Sequence, residues 1–292
     1  RSNQANMVIV AITLLALIAF LIAGLPLAIA AETEPWQPFF LAPEPTGNAP
    51  LAGFLEACAL MFVAYTGYGR IATLGEEIRE PKRSIPIAII ITLGISMLLY
   101  GSVGFVAIGA SGAETLAAAT QQRAAPLEVI AGGFQLPAIG PIVAIGAITA
   151  MLGVLLNLIL GLSRVAYAMG RRGDLPTALA RVSRSAATPS TAVLLVGGII
   201  AALTLIGNVK TTWSFSAFSV LIYYAITNLA AIRLTPDERR FPRFIPWSGL
   251  VACLFLAFWV EPQIWMIGLG LIAIGLVWQQ ASLRWGRGQA SR

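Results

Sequence analysis

The stretch from Phe62 to Pro86, FVAYTGYGRIATLGEEIREPKRSIP, decides how this chain is read. It continues an apolar run that begins at Leu51 and carries, partway along, Ala64, Tyr65, Thr66, Gly67, Tyr68 and Gly69. Each glycine inside a helix costs about 1 kcal/mol against alanine, and Gly67 and Gly69 lie two apart. The run then resumes and ends in a dense charged loop, Glu76 to Pro86. Inside a bilayer, open backbone is tolerated only where it lines a cavity or is covered by protein. Broken membrane helices of that kind hold substrates in transporters. The competing reading is a glycine face for close helix packing. Residues two apart do not share a helix face, so that reading needs two separate contacts.

The whole chain favours a membrane setting. Of its 292 residues 58% are hydrophobic and 11% charged, and the mean hydropathy is +0.81. A soluble domain carries about 25% charged residues. The net charge of +6 would suit nucleic acid, but the basic residues stand between apolar runs, where the positive-inside rule accounts for them. No nucleic-acid partner is expected. There is no histidine, which removes Ser/His and Cys/His catalysis and His-ligated metal sites. Cys58 and Cys253 lie in apolar runs and read as small buried hydrophobes. No phosphate-binding GxxxxGK[ST] loop occurs. No cofactor, metal or catalytic residue is expected.

Eight apolar segments can be drawn, at 7–30, 52–75, 85–110, 137–165, 189–207, 212–233, 245–260 and 262–283. The first is too long for a signal peptide, whose apolar region runs to roughly 7–15 residues, and is read as a spanning helix. Because the chain opens on Arg1, it is expected to be a piece of a longer protein. The expected fold is all-α and integral to the membrane, one transmembrane domain of eight helices. The last two segments meet at Glu261-Pro262 as a helical hairpin. Loops on alternate sides differ in charge. One set holds Arg1, then Arg79, Lys82 and Arg83, then Arg164, Arg171, Arg172, Arg181 and Arg184, then Arg233, Arg239, Arg240 and Arg243, and finally Arg284, Arg287 and Arg292. The other set holds only Arg123 and Lys210. This bias places both termini in the cytoplasm of a multi-pass protein of the cell (inner) membrane. The outer loop 111–136 is long enough for a short helix.

With that orientation the segment 52–75 enters from outside. Its first half points carbonyls, the negative dipole end, at the break, and its second half points amides there. Carbonyls suit an ammonium and amides a carboxylate, so a zwitterionic amino acid fits. Tyr65 and Tyr68 either close over such a guest or pack. Arg70 just beyond the break either faces an aqueous cavity beside Glu76 and Glu77 or snorkels to the interface. Ser216, Ser219, Tyr223 and Thr227 form a polar stripe expected to face the bundle interior, either lining a pathway or bonding between helices. In the fourth segment Gly146, Gly153 and Gly161, with Thr149 and Asn157, suit helix packing first and a pathway second. Glu76, Glu77 and Arg79 fit an inner gate held by ion pairs, or a plain solvated turn.

At these residues the chain resembles the amino acid–polyamine–organocation (APC) family of secondary transporters. The resemblance rests on FxAYxGYxxIATLGEEIxxPxRxIPxAI from Phe62 to Ile89. A second motif adds Ser163-Arg164-Val165, Tyr167-Ala168-Met169, Gly173-Asp174-Leu175-Pro176 and Thr188-Pro189. It implies two inverted five-helix repeats plus two accessory helices, with this chain supplying family helices five to twelve. Residues 7–30 would be the last helix of the first repeat, 52–233 the second repeat, and 245–283 the accessory pair. The first four helices, including the facing broken helix, would lie upstream. The resemblance assigns substrate binding to Ala64, Tyr65, Thr66 and Gly67. Many proton-coupled members carry a lysine near the position of Thr13, and none lies in that segment, so proton or sodium coupling stays open. The function implied is an amino-acid (or polyamine) permease working by alternating access, a symporter or antiporter, with membrane lipid around it. A non-transporting membrane subunit and an intramembrane enzyme are the other readings. The enzyme has only Glu76, Glu77 and Glu80 as a cluster of acids.

Overall fold

The computed structural model describes residues 2–31, 36, 50–68, 78–122, 125–182, 189–206 and 209–290. Every regular element among them is helical. In order they are α1 (Ser2–Ala30), α2 (Pro50–Phe62), α3 (Pro81–Ser111), α4 (Ala113–Gln122), α5 (Pro126–Gly132), α6 (Ile139–Arg172), α7 (Ser190–Ile206), α8 (Val209–Ile232), α9 (Phe244–Ala257) and α10 (Pro262–Ala290). Short 3₁₀ turns follow α2 at Val63–Tyr65 and α6 at Thr177–Ala180.

Each of the eight apolar segments holds one of these helices. Five are long and apolar enough to cross a membrane: Gln4–Ala30, Pro81–Ser111, Ile139–Arg172, Val209–Ile232 and Pro262–Gln280. Leu51–Tyr65, Ser190–Leu205 and Phe244–Ala257 are shorter apolar helices. Their outward faces are strongly apolar, with Leu98, Leu194 and Leu205 respectively 74%, 76% and 87% exposed. A water-soluble chain does not expose such continuous apolar faces, so this is a multi-pass integral membrane protein. The segment 111–136 holds α4 and α5.

The chain divides into two compact units. The first comprises residues 1–39 and 72–161. There α1 runs along α3, and α4 and α5 close against them around Phe20, Ala28, Val106, Ala107, Ile130 and Phe134. The Phe20 and Phe134 rings lie 5.2 Å apart. Gly24 is a point of close approach: a methyl group there would come 2.4 Å from Val106 and 2.6 Å from Phe134.

The second unit comprises residues 40–71 and 162–292. Its centre is α8, whose buried face is Ser214, Ala217, Phe218, Leu221 and Ala225. These positions, offset from Ser214 by three, four, seven and eleven, form one stripe of an α-helix. Against it pack α2 through Ala59, α9 through Cys253 and Ala257, and α10 through Ile264. The α9–α10 connection at 258–261 is short, as a hairpin requires, and both helices rest on α8. At that turn Lys210 Nζ meets Glu261 Oε1 at 2.9 Å. Elsewhere in the unit, α7 packs on the Thr177–Ala180 turn through Ala166, Leu179, Ala192 and Val196. The Trp278 indole donates to the Asp174 carbonyl at 3.0 Å.

Candidate functional site

The helical path of α2 stops at Phe62. One 3₁₀ turn, Val63–Tyr65, follows, and Thr66 is then extended at φ −95°, ψ 172°. Thr66 closes this turn twice on the Val63 carbonyl, through its amide at 3.1 Å and its hydroxyl at 2.7 Å. That carbonyl would otherwise receive the amide of Gly67 in an α-helix. Gly67 instead takes φ +120°, a region that side-chain-bearing residues rarely enter. Thus a threonine hydroxyl and a glycine together end the helix, and Ala64, Tyr65, Thr66, Gly67 and Tyr68 are all half-buried there.

The displaced amide has a partner on α8. The Gly67 N–H donates to the Tyr224 hydroxyl, which also shares a hydrogen bond with the Tyr68 hydroxyl. The Tyr224 ring lies 5.6 Å from Phe62 and 5.6 Å from Tyr68, edge-on to both. One side chain therefore touches the residue before the break and the residue after it. Nearer the body of α2, the Trp213 indole donates to the Leu60 carbonyl at 3.0 Å. Leu60 belongs to the last turn of α2, where carbonyls lack helical partners. So α8 satisfies backbone groups that ending the helix sets free.

The other sequence-predicted residues are placed as follows. Gly69, Arg70, Glu76 and Glu77 lie outside the described residues. Arg79 is exposed and its carbonyl accepts from Ser84 Oγ at 3.0 Å. Ser216 is half-buried, whereas Ser219, Tyr223 and Thr227 are exposed, off the packed face of α8. Ser219 Oγ returns to the Phe215 carbonyl at 2.8 Å and Thr227 Oγ1 to the Tyr223 carbonyl at 2.9 Å. Such back-bonding satisfies a hydroxyl without a neighbouring helix, which lets the stripe sit outside the packing.

Thr149 and Asn157 belong to the first unit. Thr149 Oγ1 bonds the Ile145 and Gly146 carbonyls, each at 2.9 Å. Asn157 Nδ2 donates to Asn6 Oδ1 at 3.0 Å and to the Gly153 carbonyl at 2.9 Å. Gly146 and Gly153 face Ala16 and Ile9 of α1, where a methyl would come within 2.4 and 2.6 Å. The two glycines thus serve close approach of α6 to α1. Among the described residues no group of three or more Cys, Asp or Glu gathers in a way that could hold a metal ion.

Sequence reasoning passed over Tyr224. Tyr224 lies beside Ala225 on the apolar stripe, with no polar periodicity to mark it. Its only signal was its place beside Tyr223, the member of the pair that falls on the polar stripe.

A family model described as amino acid permease matches residues 2–274. An uncharacterized transporter of Mycobacterium tuberculosis is 41% identical over 229 residues, covering 78% of this chain and 51% of that protein. The branched-chain amino acid permease BcaP of Bacillus subtilis is 26% identical over 264 residues, 88% of this chain and 54% of that protein. The methylthioribose transporter of the same organism is 26% identical over 284 residues, 94% of this chain and 58% of that protein. The chain spans about half the length of the curated relatives it matches. A match over nearly the whole sequence, carried through the broken segment, shows that the chain belongs to the amino acid permease family.

Proposed function

We propose that this chain serves secondary active transport of amino acids by alternating access, the substrate's backbone groups binding at Ala64–Gly69. The observation that carries this is the open backbone at Thr66–Gly67. The carbonyl end of α2 arrives there with the negative end of its dipole, which suits a substrate ammonium. The substrate carboxylate is then left to amides beyond the break. Tyr65 and Tyr68 stand beside this position. The relatives' names add support, since one is a branched-chain amino acid permease. In this reading eight helices span the inner membrane, five of them in the second of two inverted repeats. Both termini are cytoplasmic and a proton or sodium ion drives uptake. Arg70, Thr149, Asn157, Ser216, Ser219 and Tyr223 would border the pathway, and Glu76, Glu77 and Arg79 would form the inner gate.

The test is uptake of labelled amino acids by the full-length protein in proteoliposomes under imposed proton and sodium gradients. Saturable uptake is expected, with Gly67→Leu lowering it about tenfold or more, equivalent to ~1.4 kcal/mol. Wild-type uptake by Gly67→Leu would remove the break from the mechanism. Uptake of methylthioribose with none of any amino acid would change the substrate class.

A further inference from the structure

We propose that the α8–α9 loop and the first turn of α9, Arg233–Trp247, form a binding surface for the headgroups of anionic phospholipids. The segment reads RLTPDERRFPRFIPW, with four arginines against two acids. Lining it are three outward-facing aromatic side chains, with Phe241 48%, Phe244 68% and Trp247 52% exposed. A loop that only orients the chain needs the arginines but not an aromatic fringe beside them where α9 begins. Rings at the headgroup level beside guanidinium groups are the signature of a membrane interface.

The loop is folded rather than loose. The Thr235 amide and hydroxyl both donate to Glu238 Oε2, at 3.2 and 2.8 Å, and the Glu238 and Arg239 amides return to the Thr235 carbonyl. The Glu238 carboxylate on the Thr235 amide is one half of a capping box. This contact ties the carboxylate inward. Arg239 Nε donates to the Leu234 carbonyl at 2.8 Å, which fixes that guanidinium against the turn. Arg233 and Arg243 flank the fold, both exposed, one leaving α8 and the other capping α9. Planar guanidinium forks match a phosphodiester in a way that an ammonium does not. Clusters of Lys and Arg next to a membrane helix attract anionic lipid. Zwitterionic lipid would satisfy the rings equally but not the net positive charge, so the surface selects by headgroup charge.

The experiment is thermal melting of the purified chain in mild detergent with added phosphatidylglycerol or phosphatidylcholine of the same acyl length. Phosphatidylglycerol is expected to raise the midpoint by several degrees more than phosphatidylcholine, an increment that shrinks as salt rises. Arg233→Gln with Arg243→Gln should abolish the increment while leaving the phosphatidylcholine midpoint in place. Arg171→Gln with Arg181→Gln, an equal charge change elsewhere, should keep it. An unchanged increment in the first double variant, or equal loss in the second, overturns the proposal. Should the double variant not fold, Phe244→Ala and the salt titration of the wild type decide. An increment that survives both high salt and loss of the ring also overturns it. Free glycerol phosphate should give no shift, and a shift equal to that of the lipid would replace the lipid by a soluble phosphate ligand.

Discussion

Gly67 shows how a single residue sets the site. A Cβ built there would meet nothing within 4 Å, so space does not require glycine. Its φ of +120° does. Gly67→Ala therefore adds backbone strain of about 1–3 kcal/mol without a clash. Tyr224 is the complementary case. Tyr224→Phe keeps the rings against Phe62 and Tyr68 but leaves the Gly67 amide unpartnered. A lost hydrogen bond at this half-buried position amounts to about 1 kcal/mol. We expect Tyr224→Phe to melt within a few degrees of wild type, with a raised KM for uptake. Tyr224→Ala, which also removes the ring, should melt clearly lower, as aromatic truncations cost about 3–5 kcal/mol when fully buried. Kinetics and melting together check this, and wild-type KM for Tyr224→Phe would leave the tyrosine a packing residue only. The helix stop was legible because glycine carries its own conformational signal. Tyr224 was not, because its role comes from which helix lies beside it, and periodicity cannot report a partner. The Ser219, Tyr223 and Thr227 stripe was conspicuous for the opposite reason. Its polarity is real, but two of its hydroxyls are spent on their own helix.

At the scale of elements, apolar length gave away every long helix and misjudged most ends. α3 starts at Pro81 and α6 runs to Arg172, both beyond their apolar segments. Proline is at home in the first turn of a helix and arginines complement the dipole in the last. Polar ends thus extend a helix past what hydropathy sees. The hub role of α8 was hidden too, since its apolar stripe looks like any other membrane helix. That stripe makes a firm prediction. Gly268 of α10 abuts Phe218, and a methyl there would come 2.3 Å from the ring, which is fully buried and has nowhere to move. Gly268→Ala should destabilise by about 1–3 kcal/mol, the usual cost of overpacking. Gly270→Ala, two positions on and facing open space, should be neutral or gain up to about 1 kcal/mol of helix propensity. Parallel melting curves in detergent measure both. Equal midpoints would mean that α10 does not press on α8 as described.

For the whole molecule the governing feature is charge. Sixteen of the nineteen basic residues fall on one set of loops, and Arg79, Arg171, Arg181, Arg233 and Arg243 among them are exposed. Lys210 is one of the two basic residues in the other set, and its ion pair with Glu261 reduces its weight as an orienting charge. An exposed pair of this kind adds little stability, about 0–1 kcal/mol, so its effect would be on topology rather than on folding. The orientation we propose follows: loops rich in arginine in the cytoplasm, α4 and the α9–α10 turn outside. Single cysteines test it in a background with Cys58 and Cys253 replaced, Cys253 by alanine because it is buried. Thr235→Cys should react with a membrane-impermeant maleimide only after the cytoplasmic face is opened. Glu114→Cys on α4, exposed in the first unit, should react in intact cells. Labelling of both from one side would mean that an even number of crossings lies between them, not the three drawn here. It would also undo the direction in which α2 enters, on which the ammonium-facing end of the break depends.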